Sequence, residues 1–359
     1  MRNSVQIRQF QSTDQAALLA FLADAYRDEP RKIDIAFWKW HYLENPLTDP
    51  DNIPLWIVES GGKIVGQLAT IPVELKVGSM ITRAIWILDF IVLEQFRGQG
   101  LGKRLVQTAG ESFPTMITLG INEQSTAVFD RLGWRALGGL NRYHKLLFPG
   151  NAVRELSSIE PLRRFANFCY SPFRPGRGSY SVSDRFSIRA VTEFDDTFTD
   201  LWERASGRWP CAVVRSPEYL DWQFLRQPGK KFDVLGLYDE VRLLGYVVLF
   251  FRKGNANAAS PKAAISDICC DDDDSPTVVD ELLRASIDLA VERQAGSLVI
   301  DILDPLVESR LKQLGFWRIK ASPRFMAITS EYEDLIYNER NWYLTRGDSD
   351  VSIFEQSNR

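Results

Sequence analysis

The second half of this 359-residue chain restates the first. Phe186-Ser187-Ile188-Arg189 matches Val5-Gln6-Ile7-Arg8, and Tyr219 to Pro228 matches Phe37 to Pro46, with Trp222 on Trp40 and Pro228 on Pro46. Gly245 falls on Gly66, Ile265-Ser266-Asp267-Ile268 on Ile87-Leu88-Asp89-Phe90, and Leu314-Gly315-Phe316 on Leu132-Gly133-Trp134. Five anchors in one order, about 180 residues apart, point to a duplication and hence to two units of one architecture. With 45% apolar and 12% aromatic residues, the chain fills two cores.

Within the first unit, Ile7 to Phe10 reads as a strand, and Ser12-Thr13-Asp14 supplies N-cap residues for a helix to about Tyr26. A second helical stretch carries Phe37-Trp38-Lys39-Trp40-His41-Tyr42 and stops near Asn45-Pro46. Two apolar runs, Leu55 to Glu59 and Ile64 to Val77, flank Gly61-Gly62, the composition of a hairpin turn. There follow the run Trp86 to Leu93, a glycine loop, a helix from Lys103, a strand at Met116 to Ile121, a helix Ser125 to Leu132 and a final strand near Tyr143. The order is β-α-α-β-β-β-α-β-α-β. Periodicity breaks over 151–183, where Ser171 to Gly178 has linker composition. We therefore divide the chain into a first unit 1–150, a linker 151–183, a second unit 184–330 and a tail 331–359.

The loop Arg97-Gly98-Gln99-Gly100-Leu101-Gly102, between a strand and a helix, has the makings of an anion cradle. Its glycines admit tight turns and close approach, and the N–H groups of a helix N-terminus point unpaired at the ligand. Neither the dinucleotide spacing G-x-G-x-x-G nor the P-loop spacing is met. Arg-x-x-Gly-x-Gly after a strand, together with Asn122, Phe129, Gly133 and Trp134 at the spacing Asn-x6-Tyr-x3-Gly-Phe, resembles the GCN5-related N-acetyltransferase (GNAT) superfamily over roughly residues 85 to 135. The resemblance implies an α/β fold: two tandem units, each a mostly antiparallel mixed sheet flanked by helices, whose fourth and fifth strands are parallel and splay apart. It implies acyl-CoA as co-substrate. Its pantetheine arm would pair with the strand at Phe90, Ile91 and Val92, and its pyrophosphate would rest on Gly98 to Lys103, with Arg97 at the loop's start. Asn122 would contact it across the split, and an N–H near Ile91 or Val92 would hold the developing oxyanion.

Two positions depart from the family. Phe129 stands where a tyrosine often protonates the leaving thiolate, and Ile117 where some members carry a glutamate base. Asp89 is then the candidate base or amine-binding group; its recurrence as Asp267 equally fits a hydrogen-bonding role in the fold. At the loop's position the second unit has Cys269-Cys270 and then Asp271 to Asp274, which would repel a pyrophosphate; this acidic run suits either a helix start at Ser275-Pro276 or a metal. CoA binding is expected to be lost there, leaving the second unit to wall an acceptor pocket. Trp38, Trp40 and His41 either stack on an acceptor or pack the core. Arg163, Arg164, Arg174 and Arg177, with Phe168, Tyr170 and Phe173, form either a diphosphate or membrane patch or a solvated linker. The aromatic tail Asn341 to Asp350 suggests a segment folding back across a cleft to bring Asp348 or Asp350 to the acceptor, with Asp267 alongside.

Four cysteines form no disulfide framework, and with two histidines, His41 and His144, no metal-ligand spacing appears, so no metal is expected. No apolar run approaches the roughly 20 residues that span a bilayer, and the polar start lacks a signal-peptide core, from which a cytoplasmic location is expected. A net charge of −4 argues against a nucleic-acid partner. The reading that follows is an N-acyltransferase moving an acyl group from acyl-CoA to a primary amine. The overall layout resembles bacterial acyltransferases of surface-polysaccharide synthesis, which makes a nucleotide-linked amino sugar the first acceptor. An aminoacyl-tRNA-dependent transferase and a non-catalytic acyl-CoA sensor are the alternatives.

Overall fold

The computed structural model describes residues 5–26, 33–120, 123–152, 160–170, 185–252, 261–271, 275–319 and 324–348. The first half contributes strands β1 (Val5–Gln9), β2 (Leu55–Ser60), β3 (Lys63–Val77), β4 (Met80–Val92), β5 (Thr115–Leu119), β6 (Arg135–Gly139) and β7 (Asn141–Leu146). Its helices are α1 (Gln15–Ala25), α2 (Ile35–Tyr42), α3 (Leu101–Ser112) and α4 (Glu123–Arg131). The second half contributes β8 (Phe186–Val191), β9 (Cys211–Val213), β10 (Phe232–Asp239), β11 (Arg242–Arg252), β12 (Lys262–Cys270), β13 (Ser297–Leu303), β14 (Trp317–Ile319), β15 (Arg324–Thr329) and β16 (Trp342–Thr345). Its helices include Asp196–Ala205, Ser275–Glu292 and Pro305–Gln313.

The described strands join in one mixed sheet, ordered β6-β15-β5-β4-β3-β9-β16-β13-β12-β11-β10-β8, with β1 and β2 attached at β3, and β7 and β14 at β13. Neighbours are antiparallel except β4–β5, β12–β13 and β9–β16. Helices cover both faces, so β3 and β4 are apolar on both sides. On one face Trp86 and Ile117 pack with Phe37, Trp40 and Leu18 of α1 and α2; on the other Ile85 and Ile87 pack with Leu101 and Leu105 of α3 and with Phe129. The Gly61-Gly62 hairpin forms as expected: both glycines have positive φ, and Ser60 pairs with Lys63 across the two-residue turn.

The halves correspond in geometric detail. In the β3–β4 ladder Ala69 faces Asp89 and Thr70 faces Ile87, so Leu88 is the extra residue of a β-bulge. In the β11–β12 ladder Val248 faces Asp267 and Leu249 faces Ile265, so Ser266 is extra. Trp40 and Trp222 meet between the halves: their rings stack 5.1 Å apart, and each indole N–H donates to the other residue's carbonyl at 2.8 Å.

Three expectations change. The strand near Tyr143 does not complete the first unit: β7 lies between β13 and β14, while β15 lies between β5 and β6. The halves thus exchange strands. The expected linker holds an amphipathic helix, Glu160–Tyr170, where Arg163 and Arg164 both bind Glu160 at 2.7 and 2.6 Å; Phe173, Arg174 and Arg177 lie outside the described residues. The described part of the tail is not draped over a cleft, and Asp350 lies outside the described residues. Residues 342–345 are β16, a buried strand inside the sheet.

Candidate active site

β4 and β5 run in parallel for three pairs, Ile85 with Met116, Trp86 with Ile117 and Ile87 with Thr118, and then separate. The Thr118 hydroxyl donates to the Ile87 carbonyl at 3.0 Å where they part, and the Leu88 bulge follows at once. Beyond it β4 stays paired with β3 on its other edge as far as Val92. Because the Leu93 N–H bonds the Val65 carbonyl at 2.9 Å, strand alternation turns the peptide groups of Ile91 and Asp89 to β3 and those of Phe90 and Val92 to the open wedge. The Ile91 N–H therefore faces β3, and the N–H groups left facing the wedge are those of Phe90 and Val92. The Val92 carbonyl accepts from Arg97 Nε at 3.0 Å, which ties the glycine loop to the wedge.

Arg97, Gly98, Gln99 and Gly100 are exposed. Gly98 and Gly100 hold φ at 77° and 73°, and a Cβ at either would meet nothing within 4 Å, so backbone conformation rather than crowding selects glycine. Gly100 caps α3 without a side-chain hydrogen bond, leaving the first-turn N–H groups around Leu101 to Lys103 directed at the loop's concavity. Lys103 and Arg104 are exposed beside it. These features fit a pyrophosphate. Gly102 differs, since a Cβ there would lie 2.8 Å from the Phe90 ring. Phe129 is fully buried between Phe90 and Trp134, at 5.5 and 4.6 Å, and serves packing. Asn122 lies outside the described residues.

Asp89, 9% exposed, projects from the bulge toward α1 and α2. Its Oδ1 accepts from the Tyr26 hydroxyl at 3.3 Å and its Oδ2 from the Tyr42 hydroxyl at 3.0 Å. Neither tyrosine was anticipated at this site. The only sequence signal is that Tyr26 and Tyr42 close the two helices before the sheet, with α2 started by the Asp34 side chain, which accepts from the Ala36 and Phe37 N–H groups.

The acceptor candidates are not brought to the wedge. Trp38 packs on Phe10 and Tyr42, Trp40 on Trp222, and His41 on Trp40, all at most 3% exposed. Asp267 and Asp348, 2% and 1% exposed, flank the buried Arg215 guanidinium at 3.3 and 2.9 Å. Burial pushes the Asp348 carboxyl up from its ordinary value against the pull of Arg215. His144 packs on Trp317, and burial lowers its pKa.

In the second half the corresponding wedge is filled by the chain itself. β12 and β13 pair from Ala263–Leu298 to Ile265–Ile300 and then part. On the edge that β12 vacates, Ile302 and Leu303 of β13 pair with Thr345 and Leu344 of β16. The Tyr343 hydroxyl donates to the Ile268 carbonyl, and Thr345 Oγ1 to Asp267 at 2.8 Å. Where the glycine loop would follow, burial holds the Cys269 thiol above its usual range and pushes Cys270 up to about 11 despite Arg208, so neither is a ready nucleophile. Asp271 binds Arg204 and Arg242, a structural use of the first acid of the run; Asp272 to Asp274 lie outside the described residues.

Residues 16–134 match the model of the acetyltransferase (GNAT) family. Among solved structures, N-myristoyltransferase of Saccharomyces cerevisiae with bound myristoyl-CoA is 12% identical over 91% of this chain and 83% of its own, at a TM-score of 0.59. A GCN5-related N-acetyltransferase of Anabaena variabilis is 13% identical over 90% and 72%, at 0.59. A conserved protein of unknown function from Enterococcus faecalis, described as a probable N-acyltransferase, is 13% identical over 92% and 74%, at 0.62. At these identities the likeness is one of fold. No curated protein matches the chain.

Proposed function

We propose that this chain, whose residues 16–134 match the model of the GNAT family, is an acyl-CoA-dependent N-acyltransferase with one working donor site. The observation that carries this reading is the coincidence of three features in the first half: a parallel strand pair that opens after Ile87, a β-bulge at the opening, and an exposed glycine loop on the uncapped N-terminus of α3. When bound, acyl-CoA supplies an activated thioester. The N–H groups of Phe90 and Val92 face the wedge to bind an extended arm and polarise a carbonyl, Gly98 to Lys103 receive phosphates, and Asp89 stands on the amine side. The two halves read as tandem GNAT-like units; the matched bulges and the Trp40–Trp222 contact support a duplication in which only the first half keeps the loop.

The acceptor is a primary amine on a small molecule, with a nucleotide-linked amino sugar as the first choice. Thiol release from acetyl-CoA and longer acyl-CoAs, measured with a panel of nucleotide-linked amino sugars, is expected to show amine-dependent turnover. No amine-dependent release with any donor would sink the reading, and tRNA binding without a CoA-induced rise in Tm would favour an aminoacyl-tRNA-dependent transferase.

A further inference from the structure

The helix Glu160–Tyr170 presents its apolar side to solvent. A surface helix ordinarily turns its apolar stripe to the core and its polar residues to water. Here the polar side is the docked one. The Gly150 N–H, in the short helix Pro149–Ala152, donates to Asn167 Oδ1 at 2.9 Å, and a Cβ on Gly150 would lie 2.2 Å from the Arg163 carbonyl oxygen. At roughly 100° per residue, Phe168, Pro161, Phe165, Cys169 and Leu162 follow one another around the opposite side. All five are exposed, with Phe168 at 75%, Phe165 at 66% and Leu162 at 45%. Two phenylalanine rings left in water forgo a large hydrophobic gain, which an occupant of this face would recover.

Charge selects among the occupants. Arg164, whose side chain is 77% exposed, borders the face on the Phe168 side. Glu160 pairs with both Arg163 and Arg164, which leaves the helix one positive charge. Every charged residue from 161 to 183 is an arginine, four in all, in a chain of net charge −4. An apolar helix face bordered by arginine complements an anionic bilayer, where guanidinium groups meet the headgroups and aromatic rings enter the acyl boundary. A stable protein partner would take about 20 residues from this side, whereas the helix has 11 in all.

We propose that the helix Glu160–Tyr170 docks the protein on an anionic lipid bilayer, lying in the plane of the surface with Phe165 and Phe168 inserted and Arg164 among the headgroups. The attachment is peripheral: among the described residues no helix is long and apolar enough to cross a membrane. Two inserted rings and few charges make it reversible. It stands independently of the acyl-transfer reading.

Co-sedimentation of the full chain with vesicles tests the docking. The probes are vesicles of equal parts phosphatidylglycerol and phosphatidylcholine, and vesicles of phosphatidylcholine alone. The wild type is expected to bind the anionic vesicles at least about tenfold more tightly than the neutral ones, and to leave them as salt is raised. F165S/F168S should weaken that binding at least about tenfold with Tm unchanged, because both rings are exposed. R164Q should weaken it about fivefold. Cys169 is the one exposed thiol of the four, so a polarity-sensitive fluorophore attached there should shift to the blue on anionic vesicles. No binding to anionic vesicles, equal binding to both lipids, or unchanged binding by F165S/F168S overturns the proposal. A wild-type dimer that F165S/F168S disperses in sedimentation velocity assigns the face to a second copy, and a marked fall in the Tm of F165S/F168S assigns it to the chain's own packing; either result also overturns it.

Discussion

Gly100 holds φ at 73° immediately before α3, and its missing side chain faces open space. An alanine there meets no neighbour but must sit in the left-handed region, at a cost of about 1 kcal/mol. Its methyl group also projects into the concavity where phosphates are expected. G100A should therefore fold with a Tm a few degrees lower and bind CoA about tenfold more weakly, a factor that corresponds to about 1.4 kcal/mol; unchanged affinity by calorimetric titration would remove the loop from the donor site. The glycines were legible in the sequence because φ is a local property. Tyr26 and Tyr42 were not, since their meeting at Asp89 depends on how two helices cross a sheet, which no spacing along the chain encodes. Trp40 and His41 were legible as aromatic residues, but whether such a block faces a ligand or another core is decided by its partner, here Trp222.

Asp301 joins three elements through one fully buried carboxylate. Arg142 of β7 donates to its two oxygens at 2.7 and 2.8 Å, and Arg346, just after β16, donates at 2.6 and 3.1 Å. Burial pushes the carboxyl up, but the Arg142 hydrogen bonds and the charges of both arginines outweigh it and hold the carboxyl below its ordinary value. A depressed carboxyl stabilises the fold at pH values above the unfolded value of about 3.9, and that contribution disappears as pH falls through the lower folded value. Tm should therefore fall as pH is lowered from about 5 toward 2, and D301N should flatten that dependence while costing about 3 kcal/mol near neutrality. An unchanged acid limb in D301N, followed by circular dichroism, would show that the anchor lies elsewhere. β7 was legible as a strand, but its placement beside β13 was not, because alternation reports a face and never a neighbour. β16 escaped notice for another reason: Trp342 to Thr345 is four buried residues without a polar alternate, too short to show a period.

At the scale of the molecule, the exchange of β7 for β15 makes each half incomplete without the other. Removing the second half takes β15 from between β5 and β6, exposing ladder edges on both, and strips Trp222 from the fully buried Trp40. Each loss opposes folding: unpaired strand edges and a large apolar patch favour association over a compact state. A chain severed between Gly176 and Arg177 is thus expected to give two pieces that fail to melt cooperatively when made separately, and that recover one cooperative transition and CoA binding when made together. The proposed duplication argues the opposite, because the first half carries every residue assigned to the donor and a unit derived from a free-standing ancestor would be expected to fold alone. The strand exchange decides between them, since β5 and β6 do not pair in the described sheet except through β15. If the piece ending at Gly176 melts cooperatively by itself, β7 must be able to fold back into the place of β15, and the second half would then be an addition to a self-sufficient enzyme rather than part of its frame.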